Sequence, residues 1–247
     1  MTKPRVAFFD FASCEGCQLQ VLSLEDQLLD ILGVIDIVTF REAMTEKSDD
    51  YDIAFIEGSI TTTHDIERIK IIREKAKILI ALGQCATTGG VNYLKNFQNL
   101  DEVRKYVYGD KAPWFETIKT RPVEAVVKVD YWIYGCPINK DDFLRVVKDI
   151  LMGKKQQIPA YPVCVECRQK ENVCLFEKGQ VCMGPVTRGG GCNAWCPTSS
   201  HKCYGCRGVV EDPNVNSESA LLRKYGYSID DILNQLRLFD GYREEKT

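Results

Sequence analysis

The sequence has no apolar run approaching the ~20 residues that a bilayer-spanning helix needs. A membrane-spanning segment is therefore not expected. The start, Met1-Thr2-Lys3-Pro4-Arg5, carries no long apolar signal region, twin-arginine pair or small-residue cleavage site, so the chain is expected to stay in the cytoplasm. Blocks of Lys or Arg are missing as well, and the net charge is −3. Without a basic footprint, neither nucleic acid nor an anionic membrane surface is an expected partner. The dinucleotide fingerprint G-x-G-x-x-G and the P-loop are both absent, which leaves no nucleotide-phosphate cradle. Only two histidines occur, His64 and His201, and ordinary surface or hydrogen-bonded roles are expected of both.

What is present is a folded, globular composition. The chain has 247 residues, 45% hydrophobic and 27% charged, enough for one large domain or for an ordinary domain with a small appendage. Its twelve cysteines demand a reason, because the cytoplasm keeps thiols reduced and disulfide frameworks belong mainly to exported chains. Metal ligation is the default reading. Twelve is three complete sets of four thiolates, which suits cubane iron–sulfur clusters and tetrahedral zinc sites alike.

The first part of the chain alternates strands and helices. Val6 to Phe9 reads as a strand, followed by a loop and one helix whose Val21, Leu24, Leu28 and Ile31 recur at helical spacing before Gly33. Ile35 to Phe40, Asp52 to Ile56, Ile78 to Leu82, Val126 to Val129 and Tyr131 to Tyr134 are further predicted strands. Helices are predicted from about Asp65 to Glu74 and over Phe143 to Leu151, the latter stopped by Gly153. This pattern predicts an α/β fold with a parallel, doubly wound sheet. After Gly153 the texture changes: polar Lys154 to Gln157, then Pro159 and Pro162, then eight of the twelve cysteines between 164 and 206. A boundary near 155 is expected, giving one domain over 1–155 and a cysteine-rich one over 156–247. The second has little periodicity, so bound metal would have to supply stability. Two short helices close the chain, the second opened by Ser228 and Asp231 as a capping box.

Cys14 and Cys17, Cys85 and Cys136 each follow a predicted strand. In an open parallel sheet the carboxyl ends of strands form the ligand crevice, so these four can converge on one cluster. Gly16, Gly83 and Gly135 would let the backbone come close to it. The alternative is a redox C-x-x-C at Cys14 and Cys17 with two buried apolar cysteines elsewhere. Further on, Cys164, Cys167, Cys174 and Cys182 form one set by order along the chain, and Cys192, Cys196, Cys203 and Cys206 another. Each set contains a C-x-x-C bite; two zinc ribbons compete with clusters here, and the two sets can also interleave. Trp114, Trp132 and Trp195 are candidates for packing near a cluster or an interface, although large aromatics usually fill cores. Glu57 is expected to face a partner or to be a solvated loop carboxylate.

Cys14-Glu15-Gly16-Cys17, Ile56-Glu57-Gly58-Ser59, Gly83-Gln84-Cys85-Ala86, Gly135-Cys136-Pro137 and the stretch Cys182-Met183-Gly184-Pro185 to Cys206 together resemble the small subunits of cytoplasmic nickel–iron hydrogenases. Sulfhydrogenase delta chains and the NAD(P)-linked and methyl-viologen-reducing small subunits belong to that group. The resemblance implies a flavodoxin-like sheet followed by a small cysteine-rich iron–sulfur domain with little regular structure. It implies three [4Fe–4S] clusters: proximal on Cys14, Cys17, Cys85 and Cys136, distal on Cys164, Cys167, Cys174 and Cys182, and medial on Cys192, Cys196, Cys203 and Cys206. The implied partners are a nickel–iron large subunit, which splits hydrogen, and a diaphorase or other iron–sulfur or flavin subunit. The sequence departs from the family's exported branch, which commonly has histidine where Cys164 stands, proline in place of a fourth medial cysteine, and Glu where Ser13 stands. Two other readings stand beside it. A related subunit of a non-hydrogenase complex would carry an adjacent Cys-Cys pair, which does not occur here, and a zinc-stabilised binding module would contain no acid-labile sulfide.

Overall fold

The computed structural model describes residues 3–246; the Met1–Thr2 start lies outside the described residues. The first half is built from β1 (Arg5–Asp10), α1 (Gly16–Leu22), α2 (Asp26–Leu32), β2 (Asp36–Phe40), β3 (Ile53–Glu57), α3 (Thr63–Lys75), β4 (Ile78–Leu82), α4 (Gly83–Thr88), α5 (Leu100–Tyr108), β5 (Tyr131–Ile133) and α6 (Lys140–Leu151). All five strands are parallel, in the order β2-β1-β3-β4-β5. This is the flavodoxin-like, doubly wound order.

Residue alternation along the strands divides the core in two. Val6, Phe8, Ile53, Phe55, Ile80 and Leu82 face α1, α2 and α6, whereas Ala7, Ala54, Ile56, Leu79 and Ala81 face α3 and the segment around Val123–Val129. Burial on both faces explains why β3 and β4 read as unbroken apolar runs. Phe8 stacks between Phe40 and Phe55, with centroids 4.4 and 4.8 Å away, and Phe143 of α6 closes over Phe55 at 5.5 Å. The helices begin where side chains can satisfy free amides. Thr62 and Asp65 form a reciprocal capping box on α3, and Asn139 accepts from the Asp141 and Asp142 amides on α6.

Two sequence expectations need correction. The single helix before Gly33 is two helices, because the chain turns at Ser23–Glu25 and Glu25 adopts φ 52°. Val126–Val129 is not a strand: a 3₁₀ turn over Val123–Ala125 leads into irregular chain, whose Val123 and Val129 are buried because they pack under the sheet. Residues 83–122, for which no element was predicted, hold α4, α5 and two 3₁₀ segments, Gly90–Phe97 and Gly109–Trp114.

Beyond residue 155 lie α7 (Val163–Gln169), α8 (Trp195–Thr198), α9 (Val215–Lys224), α10 (Ile229–Asp240) and α11 (Arg243–Lys246). Ser228 and Asp231 form the expected capping box on α10. Val181, Met183, Val186, Val209, Leu222 and Ile232 make a small separate core. This segment is fastened to the sheet by polar contacts. Gln156 brackets the edge strand β5, accepting from the Trp132 amide at 2.8 Å and donating to the Trp132 carbonyl. The Phe239 carbonyl accepts from Gln84 at 2.9 Å and Thr88 at 2.6 Å, and within the segment itself Asp240 accepts from the Val209 amide at 2.8 Å. Among the described residues no helix is long and apolar enough to cross a membrane.

Truncating Phe55, 3% exposed at the centre of the aromatic stack, should cost ~3–5 kcal/mol. Ile71→Ala on the exposed face of α3 should cost less than ~0.5 kcal/mol, so denaturant melts of the two variants should separate clearly.

Candidate cysteine centres

Cys14 and Cys17 follow β1, Cys85 lies in α4 directly after β4, and Cys136 follows β5. Parallel strands end on one side, so all four come to the carboxyl edge of the sheet. The thiols feel one another there. Burial raises the Cys17 thiol strongly and Cys85 and Cys136 add to it; burial holds Cys85 up at about 12, with Cys136 and Cys14 contributing; Cys136 is raised by burial, then by Cys206 and Cys14. Gly83 keeps this corner open. Its φ is +84°, and a Cβ there would overlap the Cys17 sulfur, so a side chain would be excluded on both counts.

Glu57 is neither partner-facing nor solvated, as the sequence suggested. It is 2% exposed at the end of β3, where one carboxylate oxygen accepts from the Cys17 amide at 3.0 Å and the other from the Gln18 amide at 2.9 Å. The α1 N-terminus has no side-chain cap of its own at Glu15. A carboxylate from forty residues away supplies it, and so fixes the Cys14–Cys17 loop to the sheet. Burial pushes the Glu57 carboxyl above its ordinary range, and the two amide bonds offset part of that.

Cys164, Cys167, Cys174 and Cys182 line a single cleft of about 690 Å³, together with Phe176, Gly184 and Pro185. Burial holds the Cys164 thiol at about 12, with Cys182, Cys167 and Cys174 adding to the rise. Cys196 lies in α8, and Cys192, Cys203 and Cys206 lie on the adjoining loops. Cys196 is raised by burial and then by Cys192, and Cys206 by burial and then by Cys196. The two sets touch at one point, where the Cys203 amide donates to the Cys182 sulfur at 3.2 Å. Glu166, buried between Cys164 and Cys167, ties the Cys192 loop down by accepting from the Gly190 amide at 2.5 Å and the Ala194 amide at 3.1 Å. All twelve cysteines are free thiols. Among the described residues, no three His, Cys, Asp or Glu side chains are grouped so as to hold a single metal ion.

Sequence reasoning missed Glu57's capping role, Glu166, Arg207 and Glu218. For Glu57, Glu166 and Arg207 the signal was a charge beside a cysteine or at the end of an apolar strand; Glu218 in α9 carried none. Trp114 and Trp195 are 76% and 71% exposed, so neither is a core residue.

Residues 14–150 match the family described as NADH ubiquinone oxidoreductase, 20 Kd subunit. Sulfhydrogenase 2 subunit delta of Pyrococcus furiosus is 37% identical, over 95% of this chain and 98% of that protein. A vhu chain of the F420-non-reducing hydrogenase of Methanococcus voltae is 33% identical, over 94% of this chain and 91% of its own length. Among solved structures, a chain of an NAD+-reducing [NiFe]-hydrogenase in the H2-reduced state superposes with a TM-score of 0.58 at 24% identity, over 64% of this chain and 96% of that one, which is a likeness of fold.

Glu218 of α9 gives the site a titration of its own. It is 4% exposed, one carboxylate oxygen has no partner among the described residues, and burial lifts its carboxyl to about 7. A raised carboxyl contributes stability that is complete below its unfolded value of ~4.3 and is lost as pH rises through the folded value. Glu218→Gln should therefore raise the melting temperature more at pH 8 than at pH 5. Equal shifts at both would contradict this.

Proposed function

The chain belongs to the NADH ubiquinone oxidoreductase 20 kDa subunit family, on its nickel–iron hydrogenase small-subunit branch, and from that premise we propose that it is an electron relay built on three [4Fe–4S] clusters. As a hydrogenase subunit it works with the hydrogen-splitting site on another chain. Cys14, Cys17, Cys85 and Cys136 would hold the proximal cluster, Cys192, Cys196, Cys203 and Cys206 the medial one, and Cys164, Cys167, Cys174 and Cys182 the distal one. When bound, each cluster supplies one-electron storage at a potential set by net charge, hydrogen bonds to sulfur and solvent exposure. Residues 1–155 would form the proximal domain and 156–247 the medial and distal one. The partners are a nickel–iron large subunit against the Cys14 edge and a diaphorase or other iron–sulfur or flavin subunit at the distal cleft, with the assembly in the cytoplasm.

The convergence of four sequence-distant thiols on one sheet edge carries the reading. The chain's own residues suit the group in three ways. The donors are thiols throughout, the softest ligands a protein offers iron. Backbone amides and glycines, at Gly83 and at the Cys203 amide, stand where side chains would block or leave sulfur without a donor. Burial pushes the Cys85 and Cys164 thiols up to about 12, so metal loading there must displace protons.

Iron and acid-labile sulfide in the purified complex should both come to about 12 per copy of this chain, four of each for every set of four cysteines. Iron near four, with zinc completing the count, would overturn the assignment beyond residue 155.

A further inference from the structure

Arg207 directly follows Cys206 and is buried, 3% exposed. Taking a guanidinium out of water costs several kcal/mol unless it is paired and its N–H groups are used. The pairing here reaches across the molecule. One terminal nitrogen donates to the carbonyl of Tyr134 at 2.7 Å, two residues before Cys136, and the other to Asp142 on α6 at 3.1 Å. Asp142 is itself buried and shared with Arg145. The guanidinium's Nε–H is also buried and has no acceptor among the described residues. On its other side lies Gly191, next to Cys192: a Cβ at that position would overlap the guanidinium carbon and both terminal nitrogens. The charge acts on both neighbouring thiols, pulling Cys192 and Cys206 down against the rise that burial imposes. Arg207 is thus a fixed cation with one spare donor, wedged between the Cys136 end of the first thiol set and Cys192 and Cys206 of another.

We propose that Arg207 is a positioning residue for the cluster held by Cys192, Cys196, Cys203 and Cys206, which it ties to the Cys136 corner while its charge and spare N–H favour that cluster's reduced form. This rests on the function proposed above. One-electron reduction adds one negative charge to the cluster, the electron coming from the cluster before it in the relay, and no covalent bond forms or breaks. Arginine stays protonated throughout, so its favour is constant across the working pH range.

The test uses the assembled complex, with iron content and redox titrations of the cluster signals by electron paramagnetic resonance. Arg207→Gln with full iron should lower the reduction equilibrium of one cluster at least tenfold, ~59 mV for a one-electron couple, and leave the other two in place. Arg207→Lys, which keeps the charge, should stay within about threefold of wild type, a rescue that a purely structural role does not predict. If Arg207→Gln loses iron, Arg207→Lys decides: a potential near wild type supports the charge role and a tenfold fall overturns it. Full iron with unchanged potentials in Arg207→Gln, or equal shifts in the Gln and Lys variants, overturns the proposal alone. A wild-type complex with far fewer than about 12 irons overturns the relay reading beneath it.

Discussion

Burial of thiols, at the ends of parallel strands and in the cysteine-rich segment beyond residue 155, is the constraint on which the rest of the structure depends. A thiol removed from water resists ionising, and Cys17, Cys85, Cys164 and Cys203 are all pushed well above the ordinary cysteine range by burial. A bound metal inverts that cost, because coordination favours the thiolate that burial disfavours. The fold's other charged devices follow from the same dryness. Glu57 must accept two amides, Glu166 must accept two more, and Arg207 must find Asp142 and a carbonyl, since none has water to fall back on.

These devices also explain how two differently built halves stay in register. The sheet has large apolar layers on both faces, whereas the segment beyond 155 has a core of only a few side chains around Met183 and Leu222. Contacts between them include directional polar bonds from Gln156, Phe239 and Arg207, beside packing of Tyr242 on Tyr93. Directional bonds fix relative position more tightly than apolar contact does, and an electron relay depends on fixed separation between its centres.

Much of this was legible in the sequence, for reasons that particular residues make plain. Strands such as Ile78–Leu82 are short apolar runs buried on both faces, which makes them readable in the sequence. Cys14, Cys17, Cys85 and Cys136 stood out by following such runs. The break between α1 and α2 was hidden because Val21, Leu24, Leu28 and Ile31 keep helical spacing through it, while the turn resides in the backbone of Glu25. Val126–Val129 read as a strand because its valines are apolar, yet they serve as a lid over the sheet rather than a member of it. The partners of Glu57 and Arg207 were beyond reach for a different reason: they lie forty and more residues away, so only the fold reveals them.

The relay itself is tested most directly by comparing two rates in complexes carrying Cys85→Ser: hydrogen–deuterium exchange at the nickel–iron chain, and hydrogen-driven reduction of the native acceptor. Exchange needs no electron export, so the account predicts that it persists while acceptor reduction falls by at least tenfold, with the large subunit still bound. Undiminished acceptor reduction in a complex that has lost the iron held by Cys14, Cys17, Cys85 and Cys136 would contradict it.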